Sequence, residues 1–323
     1  MTATLPERPA PAAAPPPDAP PARRKTSRSP LTWYRGGGLA NLLFVLPMVF
    51  VFLFFSWSPI VQSVVMSLQK TNMIVSEWVG FDNYVAVMTD PELGRAVINT
   101  LYFAVLALLF GFPLPLFVAV LMSEVRRGKG LYSALAYLPV VIPPVVAVLL
   151  WKFFYSADPS GVFNTVLGWV GIPPQPWLSS AVQAMPALVL EATWAAAGGS
   201  IIIYLAALLS VPPELYDAAE VDGASIWRKV WHVTLPQLRG ILFIMLILQV
   251  IATAQVFLEP FLFTGGGPAG ATRTILLYIY DKAFRNSLGG DYGEATAVSV
   301  LLAIVLAILS WLYFKLTNRW STQ

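Results

Sequence analysis

Six apolar segments dominate the chain, at roughly residues 39–65, 96–122, 131–154, 184–211, 241–263 and 295–316. Each meets the length of about 20 apolar residues that a membrane-spanning helix needs. Six such segments in one chain do not suit the core of a soluble fold. In hydrocarbon the backbone has no water to bond to, so the segments must satisfy their own hydrogen bonds as helices. The expected fold class is therefore an all-α integral membrane protein with six transmembrane helices. The composition agrees. Only 11% of the 323 residues are charged, against about 25% in a soluble domain, so much of the surface must face lipid. Pro47, Pro113, Pro115, Pro143 and Pro144 fall inside the segments. They predict kinks, sharpest at "VVIPPVV", which membrane helices accommodate when neighbours re-satisfy the freed carbonyls.

Several function classes drop out. The chain has no cysteine and one histidine, His232. That excludes a disulfide framework, a thiolate nucleophile and any thiolate or multi-histidine metal site, so no metal ligands are assigned. A net charge of +3 is too small to argue for nucleic acid. Residues 1–38 stand apart: nine of the 27 prolines lie in the first 30 residues, among alanines. Such a segment buries too little apolar surface to order itself and is expected to be a disordered tail. A cleaved signal peptide is not expected, because the first apolar run starts late and is longer than a signal core.

The charge distribution orients the chain. Fourteen of the 20 Lys and Arg residues fall in the tail, in 123–130, in 216–240 and at the C-terminus. The alternate loops hold five (Lys70, Arg95, Arg273, Lys282, Arg285), and Lys152 snorkels from the outer end of the third segment. The positive-inside rule then places both termini and residues 216–240 in the cytoplasm, in a cell membrane. The outer stretches 77–100 and 160–178 mix aromatic with turn residues and predict short interfacial helices.

The stretch 216–240, "YDAAEVDGASIWRKVWHVTLPQLRG", is a polar island between the fourth and fifth segments. From Glu214 to Asp222 its pattern predicts a short helix with Leu215, Ala218 and Ala219 on one small apolar face. Gly223 ends it, since glycine accepts the left-handed conformation of a helix end. A second, amphipathic helix is expected from about Ser225, its N-cap, to Thr234, with Pro236 closing it. Ile226, Trp227, Val230, Trp231 and Val233 form its apolar face, suited to the membrane surface. Arg228, Lys229 and His232 lie away from that face. Taken by themselves, these residues fit either a docking surface or a solvated loop with no partner.

"DAAEVDGASIWRKVWHVTLP" resembles the cytoplasmic EAA loop of binding-protein-dependent ABC importer permeases. Asp217 stands at the position of the motif's glutamate, followed by Ala218 and Ala219. Asp222-Gly223-Ala224 carries its glycine, and Leu235-Pro236 closes it. Two further stretches, "VGFDNYVAVMTDPELGRAVINTL" and "TGGGPAGATRTILLYIYDKAF", resemble the carbohydrate branch, the maltose-type and glycerol-phosphate-type permeases. The resemblance runs from Leu39 to the C-terminus. It implies the type I ABC importer permease fold, with 39–323 as the permease domain and 212–240 as the coupling loop. It also implies the function: permease subunit of an ATP-driven sugar importer. The implied partners are a second homologous permease, two ATPase subunits and an extracytoplasmic sugar-binding protein. On this resemblance the chain is not an enzyme and holds no cofactor, ATP and Mg belonging to the ATPase subunits. Its first acid, Asp217, would meet a basic residue of the ATPase.

"GGGPAGAT" at Gly265–Thr272 is close to a phosphate-binding loop, but Ala271 replaces the lysine and the loop follows a membrane helix, not a strand. It predicts a structural turn or a contact for the binding protein. Glu191 and Glu259 lie in apolar segments. An intramembrane carboxylate is a functional candidate by default, although both sit toward outer ends that water can reach. Sugars are held by hydrogen-bonding side chains and aromatic faces. Thr193 and Trp194 follow Glu191, Gln249 and Thr253 lie one turn apart on the fifth segment, and so do Gln255 and Glu259. In the resembling permeases the sugar contacts fall on these two spans, so these seven residues are the candidate pathway. The alternative is a secondary carrier with Glu191 and Glu259 as proton sites, but no internal repeat of the kind common in such carriers is evident.

Overall fold

The computed structural model describes residues 38–125, 127–285 and 291–318. The tail expectation for residues 1–37 lies outside them. The described residues fall into two compact units that divide after Pro59. In the first unit, helix α1 (Gly38–Phe52) runs into a π turn at Leu53–Trp57, and Leu42 to Phe55 present large apolar side chains to the surface.

The second unit begins inside α2 (Ser58–Ser67). It continues with a two-stranded hairpin, β1 (Gln69–Thr71) and β2 (Ser76–Trp78), and then α3 (Asp82–Thr89). Next come α4 (Pro91–Leu106) and α5 (Pro113–Glu124), joined by a π turn at Ala107–Gly111. Helices α6 (Lys129–Val141), α7 (Pro144–Phe154), α8 (Val162–Trp169) and α9 (Ala184–Leu209) follow. The polar island forms α10 (Pro213–Val221) and α11 (Ile226–Lys229). The chain ends with α12 (Leu235–Ala254), α13 (Ile275–Phe284) and α14 (Tyr292–Asn318).

Five helical stretches are long and apolar enough to cross a membrane, or six if the bent pair Gly130–Val141 and Pro144–Phe154 is one broken span. That pair bends by 97°, at the Ile142-Pro143 step where the sequence predicts the sharpest kink. Elsewhere proline bends helices less, and a common device explains why. Three π turns, Leu53–Trp57, Ala107–Gly111 and Val230–Thr234, each end two residues before a proline: Pro59, Pro113 and Pro236. A proline ring clashes with the carbonyl four residues back and lacks a donor for it. Widening that one turn to π geometry relieves the clash without breaking the helix.

This device overturns one expectation. The amphipathic helix does not stop at Pro236. The stretch Ile226–Ala254 is a single 29-residue helical span, so the fifth span starts inside the polar island. It also ends early: Gln255 leaves the helix (φ −110°, ψ 20°), and a separate π turn forms at Pro260–Thr264. Gln255 and Glu259 are therefore not one helical turn apart. Short outer helices do form at α3 and α8; the hairpin is additional, pairing Gln69 with Trp78 and Thr71 with Ser76.

Helix α9 is the centre of the second unit, packed on α5, α6, α4 and α12. Lipid tails give apolar helices no reason to seek each other, so association rests on close packing and small residues. Gly198 shows this. A Cβ there would overlap the Ala136 carbonyl oxygen of α6 and come within 2.9 Å of Val140 Cγ2. Toward the outer end, Tyr155, Phe163, Trp177 and Phe263 pack edge to edge around Met185 and Leu188. Toward the polar island, Tyr204, Leu208, Val211 and Leu238 form a second buried cluster.

Candidate functional site

The polar island folds as one short helix, a glycine turn and the first turns of the fifth span. Pro213 occupies the first turn of α10, where its missing donor costs nothing. Gly223 takes φ +68°. Its amide donates to the Glu220 carbonyl at 3.0 Å, and the Ala224 amide donates to the Ala219 carbonyl at 2.9 Å. This pair of bonds is a Schellman cap with Gly223 in the left-handed position. Ser225 then caps α11, its hydroxyl accepting from the Arg228 amide at 3.4 Å. Asp217, Ala218 and Asp222 are exposed, Ala219 and Ala224 half-buried. Val221 (89% exposed), Ile226 (77%) and Trp227 (69%) surround the turn. Adjoining exposed apolar side chains at a loop tip make this turn a candidate contact surface for a protein or a membrane. Leu235 is half-buried and Pro236 exposed.

The island is braced from beneath. Tyr216 packs into the cluster of Tyr204 and Leu238, and its hydroxyl meets the Thr234 hydroxyl at 3.1 Å. Lys229 pairs with Glu220 at 3.4 Å across the turn; the Glu220 side chain is largely exposed, so solvent screens the pair and it contributes little. His232 Nδ1 lies 3.1 Å from the Arg228 carbonyl oxygen, a local helical contact and not a catalytic one.

The second site is a cavity of about 390 Å³ between α9, α12 and the α4–α5 span. Thr193 and Ser200 come from α9, Gln249 and Thr253 from α12, and Gln255 and Glu259 from the segment after it. Five of the seven pathway candidates are thus brought together. Small residues make the room: Ala192, Ala196 and Ala197 on α9, Ala252 on α12 and Gly111 in the π turn. A Cβ at Gly111 would stand 3.0 Å from Thr193 Oγ1 and 3.5 Å from Gln249 Nε2, so a larger residue here would press on both polar side chains. Phe103 and Phe257 add aromatic walls.

The other two candidates lie outside the cavity lining. Trp194 packs against Trp151, ring centroids 5.5 Å apart. Glu191 is 1% exposed, and its Oε2 has no hydrogen-bond partner among the described residues. Amides, hydroxyls and a carboxylate between aromatic walls are groups that can hold and release a polyol.

A third cluster, missed from the sequence, ties α13 to α14 and to the junction of α3 and α4. Lys282 on α13 pairs with Asp90 at 3.2 Å and with Glu294 on α14 at 2.8 Å. The Tyr278 hydroxyl donates to Asp90 at 2.7 Å. Arg273 pairs with Glu92 and with Asp281. Burial works against the Asp90 charge, but the bonds from Tyr278, the Glu92 amide and Lys282 outweigh it and hold its carboxyl below the ordinary value. Burial likewise opposes the Lys282 charge, and its carboxylate partners outweigh it, so its pKa is raised. The glycine-rich loop is tied into the same region. The Asn99 side-chain amide donates to the Gly270 and Arg273 carbonyls at 2.8 and 2.9 Å, and Thr272 and Thr274 are fully buried. A loop held this way is a structural turn, not a phosphate cradle.

A family model described as a binding-protein-dependent transport system inner membrane component matches residues 111–322. The chain is 31% identical over 284 residues to the trehalose/maltose transport system permease protein MalF of Thermococcus litoralis, covering 87% of this chain and 94% of that one. It is 33% identical over 294 residues to the lactose transport system permease protein LacF of Rhizobium radiobacter, covering 90% and 97%. The structure superposes with a TM-score of 0.77 and 28% identity on a chain from the crystal structure of a bacterial ABC transporter involved in import of the acidic polysaccharide alginate. That match covers 88% of this chain and 98% of the other.

Proposed function

The chain belongs to the binding-protein-dependent transport system inner membrane component family, and from that premise we propose how its two sites divide the work of transport. The protein is a multi-pass membrane permease subunit of a binding-protein-dependent importer, with ATP hydrolysis in separate subunits. The cargo is a saccharide. It passes through the cavity lined by Thr193, Gln249, Thr253, Gln255 and Glu259, and Trp194 and Glu191 support that wall from behind. The observation that carries this reading is the convergence of five candidate hydrogen-bonding side chains, from three sequence regions, on one cavity between the spanning helices.

The polar island couples the permease to its ATPase. Asp217, Ala218 and Ala219 form the docking face; Asp222, Gly223 and Ala224 set the turn; Leu235 and Pro236 lie within the fifth span, where the π turn carries the helix from the island into the membrane segment. Both termini lie in the cytoplasm, as the Lys and Arg distribution favours. A second permease completes the pathway, two ATPase copies bind ATP and Mg, and an extracytoplasmic protein delivers the sugar. The test is sugar uptake into membrane vesicles with and without ATP and the ATPase subunit. Uptake should require both. ATP-independent uptake driven by a proton gradient would instead establish a secondary carrier.

A further inference from the structure

The cavity has an electrostatic character that the family relationship does not dictate. Among its described lining residues, Glu259 is the only ionisable side chain. The remaining polar lining, Thr193, Ser200, Gln249, Thr253 and Gln255, is neutral. A second acid, Glu191, is buried two residues from Thr193 on α9. No salt bridge reaches either carboxylate among the described residues. On α9, Glu191 is the one charged residue; on α12 it is Arg239, ten residues before Gln249, or about 15 Å along a helix. Lys152 is not among the lining residues, and its ammonium donates to the Leu262 carbonyl at 3.0 Å.

We propose that this cavity acts as a charge filter, passing neutral and cationic saccharides and rejecting those that carry a carboxylate. The proposal rests on the reading of the cavity as the pathway. A uronate brought to this depth loses water around its carboxylate, and that charge must find a cation or pay for its desolvation. The cavity offers none, and it offers an acid instead. This holds whether or not Glu259 carries its proton, because neither form supplies positive charge. A neutral sugar exchanges water for the two glutamine amides and the hydroxyls. An amino sugar adds an ammonium that Glu259 can pair with.

The test uses the assembled importer in nanodiscs, without its binding protein, so that the permease alone selects. Thermal unfolding is followed against glucose, glucosamine and glucuronate, and the three galacto counterparts, at equal ionic strength. A ligand bound to the folded state raises Tm in proportion to ln(1 + [L]/Kd). The neutral and amino sugars should stabilise the complex, and the uronates should bind at least about ten-fold more weakly. Glu259→Gln should remove the advantage of the amino sugar, and Glu259→Lys should admit the uronate. If Glu259→Lys fails to assemble, the isosteric glutamine variant carries the comparison. Equal shifts for uronate and neutral sugar would overturn the filter and leave the pathway reading standing. No shift with any sugar would overturn both.

Discussion

Gly223 is the position where a single atom tests the coupling turn. Its φ is +68°, and a Cβ placed on it would meet no atom within 4 Å. An alanine there has room, so its whole cost is backbone strain, about 1–2 kcal/mol for an L residue in the left-handed region. At about 1.4 kcal/mol per factor of ten, Gly223→Ala should lower the ratio of capped to frayed turn by roughly five- to thirty-fold. Gly223→Asn should cost less, since asparagine visits this region more readily. Gly223→Pro cannot adopt a positive φ, and it loses the amide that bonds Glu220; it should abolish the turn. The assay is ATP-dependent uptake together with co-purification of the ATPase subunit, on variants shown to insert normally. The order should be glycine, asparagine, alanine, proline in both readouts. Wild-type uptake by the proline variant, or equal loss in all three, would refute the argument that backbone conformation at this residue sets the docking geometry.

Three further outcomes follow from other parts of the molecule. Asp217→Lys reverses an exposed charge, so it should leave insertion intact and eliminate ATPase co-purification and transport; retained co-purification would remove Asp217 from the docking face. Gly111→Leu should fill the space in front of Thr193 and Gln249 and abolish sugar uptake while the ATPase still co-purifies. Asp90→Asn should weaken the outer ion-pair cluster by about 1 kcal/mol, since the side chains of Asp90 and Lys282 are 21% and 26% exposed and solvent screens the pair. The sign is set by the pKa directions. A lowered carboxylate pKa gives stability that is present above 3.8 and lost as pH falls through the lowered value. The raised Lys282 pKa gives stability present below 10.5 and lost as pH rises through the raised value. The Tm difference between wild type and Asp90→Asn should therefore be constant through neutral pH and vanish in strong acid; persistence there would rule out the ionic origin.

What could be read from the residues was what local physics determines. Long apolar runs specify spanning helices because lipid leaves the backbone no other partner. "VDGAS" specifies a helix end because only glycine is at ease at positive φ. The fifth span escaped because its boundary is not an apolar boundary. Residues Ile226 to Gly240 carry Arg228, Lys229, His232 and a proline, the marks of a separate surface helix, yet a π turn carries the helix through Pro236. Nothing in a hydropathy pattern signals that a turn will widen. The outer cluster was hidden for another reason. Asp90 and Lys282 are 192 positions apart, and only the packing of α13 on α4, with α14 on α3 and α13, brings them together. The cavity was partly legible: hydrogen-bonding residues on apolar helices stand out, but Gly111 becomes meaningful only when Thr193 and Gln249 are found facing it.

The unbroken helix from Ile226 to Ala254 has a mechanical meaning. Trp231, in the π turn of the polar island, and Gln249 in the cavity wall ride on the same rod, about 27 Å apart at 1.5 Å per residue. A joint at Pro236 would have let the tip swivel while the wall stayed still. With the helix continuous, the rod is a lever: a tilt of about 10° given to its tip swings a point 27 Å away by roughly 5 Å, a distance comparable to the width of a sugar ring.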